Sequence, residues 1–166
     1  MKSDISPRFK TADLCDAHGD DLQVCAPLFR DFGGCRVFYG PVSTVQCFED
    51  NSLVREALET EGKCGVLVVD GGGSLRCALL GDQLAVLAEK NGWAGVIING
   101  CVRDSSALAV TSIGIKALAT SPRKSIKLGA GEVKLRLRFA DVTFTPGHYV
   151  YADEDGIVIA SRALVD

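Results

Sequence analysis

No C-x-x-C pair occurs anywhere in the 166 residues. The seven cysteines, at positions 15, 25, 35, 47, 64, 77 and 101, never come closer than ten positions. Zinc ribbons and thioredoxin-type redox centres are excluded on that ground. Long hydrophobic runs are also missing. The longest aliphatic stretches, such as Val66-Leu67-Val68-Val69, hold four or five residues, whereas a membrane-crossing helix needs about 20. Residues 1–10 carry Lys2, Asp4, Arg8 and Lys10 but no apolar stretch, so no secretory signal is expected. With an odd cysteine count, that points to reduced, mostly buried thiols and a cytoplasmic location. Basic charge is not in excess either: 18 Lys and Arg against 21 Asp and Glu give a net charge of −3. Neither nucleic acid nor membrane is therefore an expected partner. One stretch, with Arg123, Lys124, Lys127, Lys134, Arg136 and Arg138 against Glu132, reads as a solvated loop and an exposed strand face.

Hydrophobic residues make up 47% of the chain and charged residues 23%, the balance of an ordinary globular domain. At about 150 residues per domain, the length predicts one. We expect a short N-terminal extension over residues 1–10 and a single domain over 11–166. Thr11 reads as the cap of a first helix. Gly40-Pro41 reads as a turn between strands over 36–39 and 42–48. Asn51 or Ser52 opens a helix with an apolar stripe of Leu53, Val54, Ala57 and Leu58. Val66–Val69 is a strand of the kind buried on both faces of a parallel sheet. Asp82 opens a helix carrying Leu84, Leu87 and Ala88. Gly95–Ile98 forms the next strand, ending at an Asn99-Gly100 turn, and a third strand covers 115–119. Strand, helix, strand, helix, strand calls for parallel pairing through crossovers. The last third changes to an alternating pattern. Val133, Leu135, Leu137 and Phe139 face inward as one antiparallel strand, and the Tyr149–Tyr151 and Ile157–Ile159 strands flank an Asp153–Gly156 turn. The fold class is α/β, with a central parallel sheet, a second antiparallel sheet and helices on one side.

Two places invite a ligand. Gly71-Gly72-Gly73 follows a buried strand, but Arg76 stands where a dinucleotide-binding fingerprint needs its third glycine, and no G-K-[ST] occurs. These glycines read better as a tight strand end. The stronger constellation lies at the carboxyl ends of two adjacent strands, where ligands collect in open α/β sheets. Gly81-Asp82-Gln83-Leu84 opens a helix whose first-turn amides suit a carboxylate. Arg103-Asp104 follows after twenty intervening residues. Arg103 offers a planar fork for an anionic oxygen, and Asp104 a hard oxygen for a hydrated divalent cation. The plainer alternative makes Asp82 a helix cap and Arg103-Asp104 a surface ion pair.

Several stretches resemble the regulator of ribonuclease activity A family: residues 66–76, Asn91-Gly92-Trp93-Ala94-Gly95, Gly100-Cys101-Val102-Arg103-Asp104 and Tyr151-Ala152-Asp153-Glu154-Asp155-Gly156. Cys47-Phe48-Glu49-Asp50-Asn51 belongs to the same resemblance, which spans residues 11–158. It implies a swivelling three-layer β/β/α domain that assembles as a homotrimer or a dimer of trimers. Catalytic members of the family are class II aldolases that cleave 4-hydroxy-4-methyl-2-oxoglutarate to two pyruvates and decarboxylate oxaloacetate. They carry an Asp, twenty residues, then Arg-Asp, matched here by Asp82, Arg103 and Asp104. For this chain the resemblance implies Mg²⁺ or Mn²⁺ held by Asp104. It also implies a small α-keto acid substrate gripped by Arg103 and the Gly81–Leu84 amides, and catalytic roles for Arg103 and Asp82. Ala107 stands where many catalytic members have an acid, and some members borrow a carboxylate from a neighbouring subunit. Ribonuclease-inhibiting members lack the Arg-Asp pair; binding and masking a ribonuclease is the alternative function.

Overall fold

The computed structural model describes residues 8–166; residues 1–7 of the expected extension lie outside the described residues. The helices are α1 (Thr11–His18), α2 (Ser52–Leu58), α3 (Asp82–Lys90) and α4 (Ser105–Leu108). The first six strands are β1 (Gln23–Val24), β2 (Arg30–Asp31), β3 (Phe38–Gln46), β4 (Val66–Asp70), β5 (Ala78–Leu80) and β6 (Gly95–Val102). The rest are β7 (Gly114–Thr120), β8 (Glu132–Val133), β9 (Leu137–Phe139), β10 (Val142–Phe144), β11 (Tyr149–Ala152) and β12 (Ile157–Ala160). Among the described residues, no helix is long and apolar enough to cross a membrane.

The expected parallel sheet is β3-β4-β6-β7, with β2 antiparallel at its edge and β5 parallel beside the end of β6. The expected antiparallel sheet is β1-β12-β11-β3. The strand β3 belongs to both. Phe38–Pro41 pairs antiparallel with β11, and Val42–Gln46 pairs parallel with β4. The two sheets thus form one curled ten-stranded sheet, and β9-β10 makes a separate hairpin.

Alternation along β4 explains the layers. Its four apolar residues are all fully buried, but on opposite sides. Leu67 and Val69 face the α2–α3 layer, packing with Val54, Leu58, Leu84 and Ala88. Val66 and Val68 face the antiparallel layer, among Phe144, Val150, Ile157 and Ile159. A third cluster joins Phe9 to Tyr39 and Tyr151, the two tyrosine rings stacked 5.6 Å apart.

The structure revises four local expectations. Gly40-Pro41 is not a turn: β3 runs through it, because this is where the strand exchanges its antiparallel partner for a parallel one. Asn99-Gly100 is likewise inside β6, as a register shift between Ile98 and Cys101 against β7. The Asn99 carbonyl there accepts the Gly71 and Gly73 amides, which ties the irregular stretch of β6 to the turn after β4. The alternating 133–139 segment is two strands, interrupted where Lys134 takes φ 62°, so Val133 pairs with β3 and stays exposed while Leu137 is buried under β10. Finally, Thr11 does not cap α1. Its amide and hydroxyl both donate to the Asp153 carboxylate, each at 2.7 Å, so the β11–β12 turn supplies the cap. Burial raises the Asp153 carboxyl, but donors from Thr11, Asp155 and Gly156 outweigh it and hold the group below its ordinary value.

Gly40 is required by close approach. A Cβ there would lie 2.1 Å from the Cys64 carbonyl oxygen, a backbone atom that cannot swing aside. Gly40→Ala should cost about 3 kcal/mol, the upper range for forced overpacking. Thermal denaturation should show the midpoint falling by roughly 6–12 °C.

Candidate active site

The β5–α3–β6 crossover explains the spacing of the candidate residues. Leu80 and Val102 are register partners at the ends of two parallel strands, and the Arg103 amide donates to the Leu80 carbonyl at 3.0 Å. The chain leaves β5 as Gly81-Asp82, returns through α3, and comes forward along β6 to Arg103-Asp104. Twenty intervening residues are what one helix and one strand consume before returning to the same edge.

Asp104 sits in the left-handed region, φ 60° and ψ 40°, which Asp tolerates better than most side chains. That turn lets its Oδ2 accept the Asp82 amide at 3.1 Å, while Asp82 Oδ1 accepts the Gln83 amide at 2.7 Å. A Cβ on Gly81 would fall 2.6 Å from Asp104 Oδ2, so the carboxylate's approach depends on glycine. Leu84 contributes only its backbone, since its side chain is in the core. Arg103 Nε stands 4.0 Å from Asp104 Oδ2, with the side chains 42% and 39% exposed. A pair so long and so wet contributes little to stability, which removes the case for it as a structural staple.

All six candidate residues, Gly81, Asp82, Gln83, Leu84, Arg103 and Asp104, line one polar cleft of about 110 Å³. The opposite wall holds residues the sequence reading did not assign to it: Asn51, Arg55, Lys124, Ser125 and Lys127. Four cations, Arg55, Arg103, Lys124 and Lys127, thus meet two carboxylates, and the cleft suits an anion. Lys124 and Lys127 are exposed, as the solvated-loop reading expects, and they also line this cleft. Their charge was visible in sequence, but nothing in the spacing placed them opposite Arg103.

Asp50 is what brings that wall together. Its fully buried carboxylate accepts the Ser52 amide (2.9 Å) and hydroxyl (2.6 Å), the Leu128 amide (2.8 Å) and the Ala130 amide (3.2 Å). It therefore starts α2, which carries Arg55, and clamps the loop that carries Lys124 to Lys127. The expected cap of α2, Asn51 or Ser52, is thus replaced by the preceding residue. The same loop is tied to β5 by the Ala78 amide on the Arg123 carbonyl.

The acidic donors in the cleft are Asp82 and Asp104, and among the described residues no three His, Cys, Asp or Glu converge as a metal cage. One or two carboxylates with open space fit a hard, largely hydrated cation such as Mg²⁺ and do not fit a tetrahedral zinc site. Burial pushes the Cys25 thiol up to about 12. Burial first, then Asp50, Asp70 and Cys77, does the same to Cys47. Neither is a nucleophile at neutral pH. The Gly71–Gly73 turn is occupied by its own structure: Asp70 Oδ1 accepts the Gly72 amide and the Asn99 carbonyl takes its neighbours.

Fold and cleft together define an α/β domain with a small polar cleft at its strand ends, lined by four cationic side chains and two carboxylates. The chain belongs to the RraA-like family (Aldolase/RraA), which matches residues 11–159. It is 56% identical over 157 residues to a protein of Aromatoleum aromaticum named "Putative 4-hydroxy-4-methyl-2-oxoglutarate aldolase", covering 95% of this chain and 99% of that one. A Geobacillus kaustophilus structure described as an S-adenosylmethionine:2-dimethylmenaquinone methyltransferase is 55% identical, with TM-score 0.92 over 94% of this chain and 97% of that one. A Thermus thermophilus structure, described as the RNA-processing inhibitor RraA, is 47% identical, with TM-score 0.90 over 93% of each chain.

The Asp50 carboxyl has an acid signature. Burial raises it, but the bonds from Ser52, Leu128 and Ala130 prevail and take it from 3.8 to about 2. A carboxyl more acidic folded than unfolded stabilises the fold fully above the unfolded value, and that contribution drains away as pH falls toward the folded one. Urea midpoints measured from pH 5 to pH 2 should drop steeply below about pH 4 in the wild type. Asp50→Asn should be less stable at neutral pH, and the gap should close toward pH 2.

Proposed function

We propose that this protein is a divalent-metal-dependent lyase that cleaves 4-hydroxy-4-methyl-2-oxoglutarate to two pyruvates and also decarboxylates oxaloacetate. The observation that carries this reading is the convergence of Asp82, Arg103 and Asp104 in one cationic cleft. The aldolase name of the Aromatoleum relative supports it.

Asp104, with Asp82 nearby, would hold Mg²⁺ or Mn²⁺ largely through water. When bound, that ion supplies Lewis-acid stabilisation of negative charge developing on the substrate's keto oxygen. The Asp82 and Gln83 amides are taken by the Asp104 and Asp82 carboxylates, so the Leu84 amide is the first-turn donor of α3 that orients the substrate's C1 carboxylate. In the cleavage, the C4 hydroxyl gives up its proton and the C3–C4 bond breaks. C4 becomes the keto carbon of one pyruvate, and the electron pair passes into the enolate of the other. Arg103 presents its guanidinium to the enolate oxygen, where the charge is larger in the transition state than in the substrate. Asp82 keeps one oxygen on the Gln83 amide and uses the other to orient the water that carries the proton. Decarboxylating oxaloacetate produces the same enolate with loss of CO₂, so one set of residues serves both reactions.

The rival reading, a ribonuclease-masking protein, is carried by the likeness to the Thermus inhibitor. It leaves the cleft and its paired acids without a role. The aldolase reading also carries a homotrimer or pair of trimers in the cytoplasm, consistent with the apolar surface that Ile126, Leu128 and Val133 leave exposed. Light scattering at micromolar concentration should give a trimer or hexamer, and a monomer would overturn that assembly.

Pyruvate release from oxaloacetate with Mg²⁺ or Mn²⁺ is the direct test; no turnover, or turnover indifferent to metal, would sink the proposal. Asp104→Asn keeps the left-handed turn and an acceptor for the Asp82 amide but loses the charge. Its activity should fall by orders of magnitude, excess metal should restore little, and its melting point should stay near wild type. Arg103→Lys should lower kcat by about 10²–10³ with a smaller change in KM.

A further inference from the structure

The wall opposite Arg103 contains a group with no internal purpose. Ser125, which lines the cleft, is 6% exposed, and its buried hydroxyl has no hydrogen-bond partner among the described residues. A buried hydroxyl without a partner costs free energy that a fold rarely tolerates without a reason. Around it stand Arg55 and Lys124. Among the described residues Arg55 has one ion pair, to Glu59, which is 3.9 Å long and half exposed. An orphaned hydroxyl donor flanked by two cations is the chemistry of a carboxylate receptor.

We infer that Ser125, Arg55 and Lys124 form a subsite for the distal carboxylate of a dicarboxylic 2-oxo acid, facing the Arg103–Asp104 end that takes the pyruvyl part. The assignment rests on the proposed lyase reading and deepens it. Both proposed substrates carry a second carboxylate at the end remote from the keto acid, so a site for the pyruvyl part alone would not distinguish them from monocarboxylic analogues. The two halves of the subsite come from different segments, α2 and the 124–127 loop, and Asp50 sets their separation through its bonds to Ser52, Leu128 and Ala130. Asp50 is thus a positioning residue for specificity.

The test uses two unreactive ligands that differ only at the distal end. 2-Oxoglutarate has a C5 carboxylate, and 2-oxopentanoate has a methyl group there. Calorimetric titration of the full-length protein in Mg²⁺ buffer should show 2-oxoglutarate binding about 10- to 100-fold tighter, the range for charge-assisted hydrogen bonds. Ser125→Ala and Arg55→Met should each lose most of that preference while binding 2-oxopentanoate as the wild type does. Equal affinities in the wild type, a preference retained in both variants, or equal weakening of both ligands would overturn the subsite. Pyruvate release from 4-hydroxy-4-methyl-2-oxoglutarate is measured alongside to separate the two ideas. Release with no distal preference refutes the subsite alone, whereas preference without release supports a dicarboxylate site and refutes the lyase reading.

Discussion

Because β3 hydrogen-bonds to β11 along its first half and to β4 along its second, neither sheet can form its register without fixing the other's. That shared strand determines where the layers stack, and the stacking determines which side of β4 meets helices and which meets the second sheet. The close passage of the Cys64 carbonyl over Gly40 marks the point of exchange. Everything at the cleft is downstream of this register. β4 fixes β6, β6 fixes the end of β5, and the two strand ends deliver Gly81-Asp82 and Arg103-Asp104 to one edge.

The parts of the fold that were legible from sequence are those governed by local pattern. The run at 66–69, the helix opening at Asp82 and the antiparallel strands around the Asp153–Gly156 turn all announce themselves through apolar periodicity and turn chemistry. The misread places are those where a long-range partner overrides a local signal. Gly40-Pro41 and Asn99-Gly100 look like turns, yet the first is a change of partner and the second a bulge. Lys134 carries no side-chain hint of a left-handed kink. Thr11 looks like a cap because threonine caps helices, but the acceptor it needs arrives from residue 153.

The cleft divides the same way. One wall was readable because Asp82 and Arg103-Asp104 lie one crossover apart, a separation set by helix and strand lengths. The other wall joins residues 51–55 to residues 124–127 through Asp50, and no periodicity links segments so far apart. The signal present in sequence was a cluster of basic residues, which by itself is indistinguishable from a wet surface. A buried aspartate two positions before a helix, with donors waiting in a distant loop, is visible only once the chain has folded.

Lys116 extends the same logic to the far end of the molecule. Its ammonium group is buried on β7, 3.0 Å from Asp31 Oδ1 on β2 and 2.7 Å from the Asp153 carbonyl oxygen. Asp153 in turn holds the first turn of α1 through its carboxylate. Peeling away the edge strand, the β11–β12 hairpin turn or the N-terminal helix separately would strand a charge, or its acceptors, inside the protein. Half-open forms of this corner are therefore disfavoured, and amide protons in all three elements are expected to exchange with solvent through a common opening event.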